Sequence, residues 1–172
     1  LNFYPMEPIT FLNTITKKDD LAGIMFTGSS YVFDSIYQKV GNNIRKMNNY
    51  PRIVGETGGK NFHFLDVDLN LDNAIDRTLE SAFNFSGQKC SAGSILYVPN
   101  ILLEETSKMI QKKIKKYMSQ NENYGVINSL SFKKLSSVID SLKDDKEIKF
   151  IVKGKNSKKE RYFIHPHVFI CK

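Results

Sequence analysis

The sequence predicts an α/β fold with mostly parallel strands. Three observations lead there. Short β-branched and aromatic runs alternate with longer segments whose apolar residues recur every three or four positions, small-residue loops join the two kinds, and 41% of the 172 residues are hydrophobic. Strands that alternate with helices favour parallel pairing through right-handed crossovers. The first strand is expected at residues 23–26. It runs into Thr27-Gly28-Ser29-Ser30 and then into a helix whose Phe33, Ile36, Tyr37, Val40, Ile44 and Met47 fall on one face. A second strand is expected over residues 62–67. The helix after it carries Leu71, Ala74, Ile75, Leu79, Ala82 and Phe83 on one side and stops at Gly87, a residue suited to a left-handed cap. Residues 94–98 read as a strand, and Asn100 could cap a helix bearing Leu103, Ile110, Ile114 and Met118. A further helix over 130–142 and strands at 148–152 and 162–164 complete the series.

Composition narrows the partners. A net charge of +7 invites nucleic acid as a ligand, because clustered Lys and Arg are the footprint of phosphate binding. The lysines sit on the outer face of one helix (Lys108, Lys112, Lys113, Lys115, Lys116) and in a turn-like segment (Lys153, Lys155, Lys158, Lys159). No aromatic platform for bases is interleaved with them, so they read as solvated faces and no nucleic-acid partner is expected. No apolar run is long enough for a membrane span. Cys90 and Cys171 have unlike surroundings and form no disulfide framework, and His63, His165 and His167 lie far from both, so no metal site is expected. Cys171, after the apolar run of residues 168–170, reads as a small buried hydrophobe. The first residues show neither an initiator methionine nor a signal pattern, and the chain is expected to begin in mid-protein or after processing.

Two motifs carry the chemistry. Glu56 lies in Gly55-Glu56-Thr57-Gly58-Gly59-Lys60-Asn61, and Cys90, thirty-four residues on (90 − 56), lies in Phe85-Ser86-Gly87-Gln88-Lys89-Cys90-Ser91-Ala92. A thiolate attacks an aldehyde carbonyl well, and a carboxylate can activate the water that hydrolyses the resulting thioester. The backbone N–H of Cys90 could donate to an oxyanion. The loop after the first strand offers helix N–H groups to an anion, although Ser29 or Ser30 could equally be a plain N-cap; spacing alone leaves both open.

These residues resemble the aldehyde dehydrogenase superfamily, with its E-x-G-G-K segment, its G-Q-x-C segment at the same interval, and its F-T-G-S cofactor loop, present here as Phe26-Thr27-Gly28-Ser29. Phe33 replaces the glycine that many members place four residues after that serine, and Ser29 and Glu56 are twenty-seven residues apart (56 − 29). Both features are similar to the delta-1-pyrroline-5-carboxylate dehydrogenase subfamily, as are Gly58-Gly59-Lys60-Asn61-Phe62-His63-Phe64 and Leu96-Tyr97-Val98-Pro99. The resemblance implies the end of a Rossmann-type NAD-binding domain over residues 1–58 and the first half of an α/β catalytic domain over 59–172. It implies Cys90 as nucleophile, Glu56 as base, Gly28, Ser29, Ser30, Tyr31 and Val32 as the NAD contact, and Ser91 as a substrate-carboxylate contact. Simple helix-start packing is the alternative for Tyr31 and Val32, and a turn hydroxyl for Ser91. Lys89 is given no role, and Lys60 and His63 are read as structural. The expected activity is NAD-dependent oxidation of the small-molecule aldehyde L-glutamate 5-semialdehyde to L-glutamate. A homo-oligomer when full length and a mitochondrial matrix location, or otherwise a cytoplasmic one, follow from the same likeness. The alternatives are a truncated, non-catalytic relative and a different aldehyde substrate.

Overall fold

The computed structural model describes residues 2–120, 124–154 and 162–171. They form two compact units, residues Leu1–Gly59 and Lys60–Lys172.

Unit 1 is a βαβ motif preceded by a helix. Helix α1 (Pro8–Ile15) starts with proline at its first turn and with the Glu7 carboxylate accepting the Thr10 N–H at 2.7 Å. The sequence reading assigns no helix there, because the segment is short and its cap is an uncommon one. Strand β1 (Gly23–Gly28) pairs in parallel with β2 (Arg52–Thr57), and α2 (Ser30–Asn43) crosses between them. Ile36 and Val40, at i and i+4, are the buried residues of α2. Alternation along the strands places Ile24, Phe26, Ile53 and Gly55 toward cover and leaves Met25, Thr27, Val54 and Glu56 exposed. Strand β2 is absent from the expected series. Gly55 disguises it, yet the strand needs a glycine there, since a Cβ would stand 2.2 Å from the Phe33 ring of α2. Ile44, expected within the helix, instead begins a 3₁₀ turn, Ile44–Lys46, with Met47 as its cap.

Unit 2 repeats the motif. Strand β3 (Asn61–Phe64) pairs in parallel with β4 (Gly93–Tyr97) across α3 (Leu71–Phe83). The strand is shorter than expected because the Asp66 carboxylate captures the next N–H, that of Val67, at 2.6 Å and turns the chain. Asn70 caps α3 by accepting the Asn73 N–H at 3.0 Å. The core joins Leu65, Ile75 and Leu79 to Ile110 and Ile114 of α4 (Leu103–Gln120). Asn100 caps nothing; it opens a 3₁₀ turn, Asn100–Leu102, that runs into α4. Lys113 is only 15% exposed and bonds Asp72 and Asp76 at 2.8 Å each, so it ties α4 to α3 and is not the solvated side chain its helical position suggests. Burial alone would lower its pKa, but the two carboxylates outweigh that and hold it above the ordinary lysine value.

Helix α5 (Ser129–Lys143) starts at the Asn128 cap. Strand β5 (Lys149–Val152) pairs antiparallel with β6 (Val168–Ile170), an exception to the parallel pattern. The strand expected at 162–164 is not one. Tyr162 adopts φ 50°, its carbonyl accepts the Val126 N–H at 3.0 Å, and the pairing moves to residues 168–170. Cys171 is exposed just past the end of β6, which corrects its reading as a buried hydrophobe. Lys155, Lys158 and Lys159 lie outside the described residues.

Candidate functional site

In unit 1 the candidate residues gather where β1 ends. The strand hands directly to Ser29, which has extended backbone (φ −75°, ψ 145°) and accepts the Val32 N–H on its hydroxyl at 3.3 Å. Its carbonyl accepts from Val32 and Phe33 at 3.1 Å each. Ser29 is therefore the N-cap, and the first N–H groups of α2 keep the orientation and partial positive charge that suit an anion. Gly28, Ser29, Ser30, Tyr31 and Val32 are all exposed, Tyr31 at 80%. Tyr31 therefore packs little against the rest of the unit, while Val32, 41% exposed, is partly covered. A side chain at Gly28 would meet the Phe26 ring at 2.5 Å, so the ring, stacked 5.8 Å from Phe33, lies against the turn and leaves no room for a Cβ. Glu56 is the register partner of Thr27 on the neighbouring strand. It is exposed, on the sheet face opposite the one Phe33 covers. A carboxylate and a helix start whose N–H groups suit an anion thus share one end of one βαβ motif.

In unit 2 Cys90 sits between α3 and β4 in a loop of unusual backbone. Phe85 (φ 51°), Ser86 (φ 57°) and Gly87 (φ 71°) are three consecutive left-handed residues. Gly87 has the left-handed backbone expected of it, but α3 already ends at Phe83 with Asn84 as its cap, and two non-glycine residues share that conformation, each of which costs energy that other contacts must offset. Those contacts are hydrogen bonds and ring contacts. Ser86 Oγ donates to the Tyr124 carbonyl at 2.6 Å. The Gln88 amide donates to the carbonyls of Phe85 and Gly125 at 3.1 Å each and accepts the Ile127 N–H at 2.9 Å. The Phe85 ring stacks on Tyr124 at 5.1 Å, and the Lys89 ammonium lies 4.8 Å from the centroid of that same Phe85 ring. On the other side, Asn61 Nδ2 donates to the carbonyls of Cys90 at 2.7 Å and Ala92 at 3.1 Å. Cys90 and Ser91 remain exposed at the tip. The arrangement presents a free thiol on a loop fixed from two directions. His63, bonded to Thr78 of α3 at 2.9 Å, anchors β3 to the helix.

Sequence reasoning passes over Asn61, Ser86 and Gln88. Gln88 and Asn61 stand inside the quoted motifs, where an amide beside a nucleophile is a signal for backbone clamping, but their partners at 124–127 and 90–92 are visible only in the fold. Among the described residues no group of three His, Cys, Asp or Glu side chains could hold a metal ion, and no helix is long and apolar enough to cross a membrane.

A free thiol on a clamped loop and a carboxylate beside a helix start, each in its own βαβ motif, define an α/β chain of a known kind. Residues 1–171 match the aldehyde dehydrogenase family, and the chain belongs to it. It is similar to the probable delta-1-pyrroline-5-carboxylate dehydrogenase of Schizosaccharomyces pombe, 35% identical over all of this chain and 33% of that protein. The mitochondrial delta-1-pyrroline-5-carboxylate dehydrogenase of Rattus norvegicus is 31% identical over all of this chain and 32% of its own length. Among solved structures, the Mycobacterium tuberculosis delta-pyrroline-5-carboxylate dehydrogenase bound with NAD superposes with a TM-score of 0.83 at 30% identity, over 92% of this chain and 31% of that one. The chain spans about a third of the length of these relatives.

Proposed function

We propose that the complete protein oxidises L-glutamate 5-semialdehyde, the open form of 1-pyrroline-5-carboxylate, to L-glutamate in proline catabolism, in the mitochondrial matrix like the relatives named mitochondrial. The observation that carries this reading is the exposed Cys90 thiol on a loop clamped by Asn61 and Gln88. Unit 1 is read as the end of the cofactor domain and unit 2 as the start of the catalytic domain. Cys90 as thiolate bonds to the aldehyde carbon, and its own N–H can donate to the oxygen that gains charge. The adduct collapses to a thioester as a hydride leaves. NAD, held at Gly28, Ser29, Ser30, Tyr31 and Val32, supplies the acceptor for that hydride when bound. Glu56 takes a proton from the water that then attacks the thioester, releasing glutamate and the Cys90 thiolate, and Glu56 then gives its proton up to solvent. The Ser91 hydroxyl, exposed beside the nucleophile, helps hold the substrate's carboxylate.

The test is Cys90→Ser in the complete protein. Semialdehyde-dependent NADH formation should fall by roughly a thousandfold or more, since a hydroxyl lacks the nucleophilicity of a thiol near neutral pH. Full retention of turnover would remove Cys90 from the role.

A second reading rests on the outer face of β3 and β4. Phe62, Phe64 and Tyr97 pack on one another there, with Phe64 stacked 4.5 Å from Tyr97, yet remain 57%, 70% and 45% exposed. Both faces of a parallel sheet are ordinarily covered. A 172-residue product that leaves this face open would be a non-catalytic, association-prone relative. Stoichiometric NAD binding by the purified 172-residue chain would count against that reading.

A further inference from the structure

We infer that Asn61 is a positioning residue for the Cys90 thiol and acts through the loop's backbone; this rests on the reading of Cys90 as nucleophile. Lys89, Cys90 and Ser91 are all exposed, so burial of side chains does not hold this segment. Hydrogen bonds do. Both N–H groups of the Asn61 amide are available to the loop, and its nitrogen reaches the Cys90 carbonyl at 2.7 Å and the Ala92 carbonyl at 3.1 Å. The Cys90 carbonyl belongs to the peptide joining the nucleophile to Ser91. Fixing it sets the torsion of the Cys90 backbone, and with it the direction in which the Cα–Cβ bond carries the sulfur. The Ala92 N–H closes back on the Lys89 carbonyl at 3.2 Å, so Asn61 grips two carbonyls of a tight turn.

Asn61 is itself held rigidly. It begins β3 opposite Gly93 of β4, and the register then passes from Asn61↔Gly93 to Phe62↔Ile95, which makes Ser94 the extra residue of a bulge. Ser94 Oγ donates to the Asn61 carbonyl at 3.2 Å. Bulges re-aim a neighbouring side chain, and here the one in β4 lies beside the residue that reaches back over the loop. The Gly93 N–H is bound by Ser81 Oγ of α3 at 3.1 Å, so the anchor continues into the helix that the core buries. Gln88, two residues before Cys90 in the same loop, ties that loop in turn to the backbone of Gly125 and Ile127.

The test compares Asn61→Leu, which keeps the shape and loses the donor, with Asn61→Gln, which keeps a donor, both in the complete protein. Asn61→Leu should slow the single-turnover burst of NADH with semialdehyde by roughly 10- to 100-fold, the scale expected for a misplaced reacting group. Its KM for NAD should not change, and iodoacetamide should still alkylate Cys90, followed by peptide mapping, at close to the parent rate. Asn61→Gln should recover much of the burst. A parent-rate burst in Asn61→Leu would overturn the inference. So would equal losses in both variants, or a loss of burst matched by an equal loss of alkylation and of cooperative melting, each of which assigns Asn61 a merely structural part. An active Cys90→Ser protein would sink the nucleophile reading itself, a result distinct from any produced by the Asn61 variants.

Discussion

The turn that follows β1 joins a strand to a helix and the loop that precedes β4 joins a helix to a strand, each in its own βαβ motif, and they are built by opposite means. At Ser29 the chain passes from strand to helix with ordinary backbone angles and one capping hydroxyl. At Cys90 it passes from helix to strand through three left-handed residues and is gripped by Asn61, Ser86 and Gln88. The difference matches the two tasks proposed for them. A helix start binds an anion through its whole array of N–H groups, a field that tolerates small displacements. A covalent bond forms along one direction, and a nucleophile on an exposed loop must be aimed. The charges divide in the same way: among the described residues every ion pair lies in unit 2.

The comparison can be broken by experiment. The largest effect is expected from Glu56→Gln, which removes the proposed base from unit 1 and leaves the loop of unit 2 alone. Hydride release should persist as a single burst of NADH, while steady turnover falls by roughly 10²- to 10⁴-fold because thioester hydrolysis stalls. Equal damage to burst and turnover would show that the carboxylate serves the first half of the reaction as well.

The next effect separates strain from sequence. Gly87→Ala puts a Cβ at φ 71° and 2.9 Å from the Ala82 carbonyl, so it should destabilise the protein by about 1–3 kcal/mol by chemical denaturation and disturb the aim of Cys90. A neutral result would mean that the loop relaxes readily and that its left-handed run stores little.

The smallest is Lys113→Met, which severs the tie between α3 and α4. Because its carboxylate partners Asp72 and Asp76 are mostly exposed, the loss should stay at or below about 1 kcal/mol. The sign with pH is fixed by the direction of the shift. A lysine raised on folding stabilises fully below its unfolded pKa and loses that contribution as pH climbs through the folded one, so parent and variant should converge in melting temperature only in strongly alkaline solution.

Much of the architecture was legible because periodicity reports burial. Helices α2 and α3 fall where apolar residues recur at helical spacing, and Ile36, Val40, Ile75 and Leu79 are the residues they bury. Strand β2 escaped notice since Gly55 interrupts the apolar alternation, and the reason for that glycine, the Phe33 ring above it, is a contact across the motif. The true position of β6 was hidden for a similar reason: a left-handed Tyr162 bonded to Val126 displaces the pairing, and nothing local announces that partner.

By itself the sequence determined the family of this chain and the residue types at its three candidate positions, because a thiol, a carboxylate and a capping serine carry their chemistry wherever they are placed. Only the tertiary structure decided which side chains hold them. Asn61 reaches Cys90 across twenty-nine residues and Gln88 reaches Gly125 across thirty-seven. Such bonds depend on how two strands and a loop meet in space, and short-range spacing does not encode that meeting.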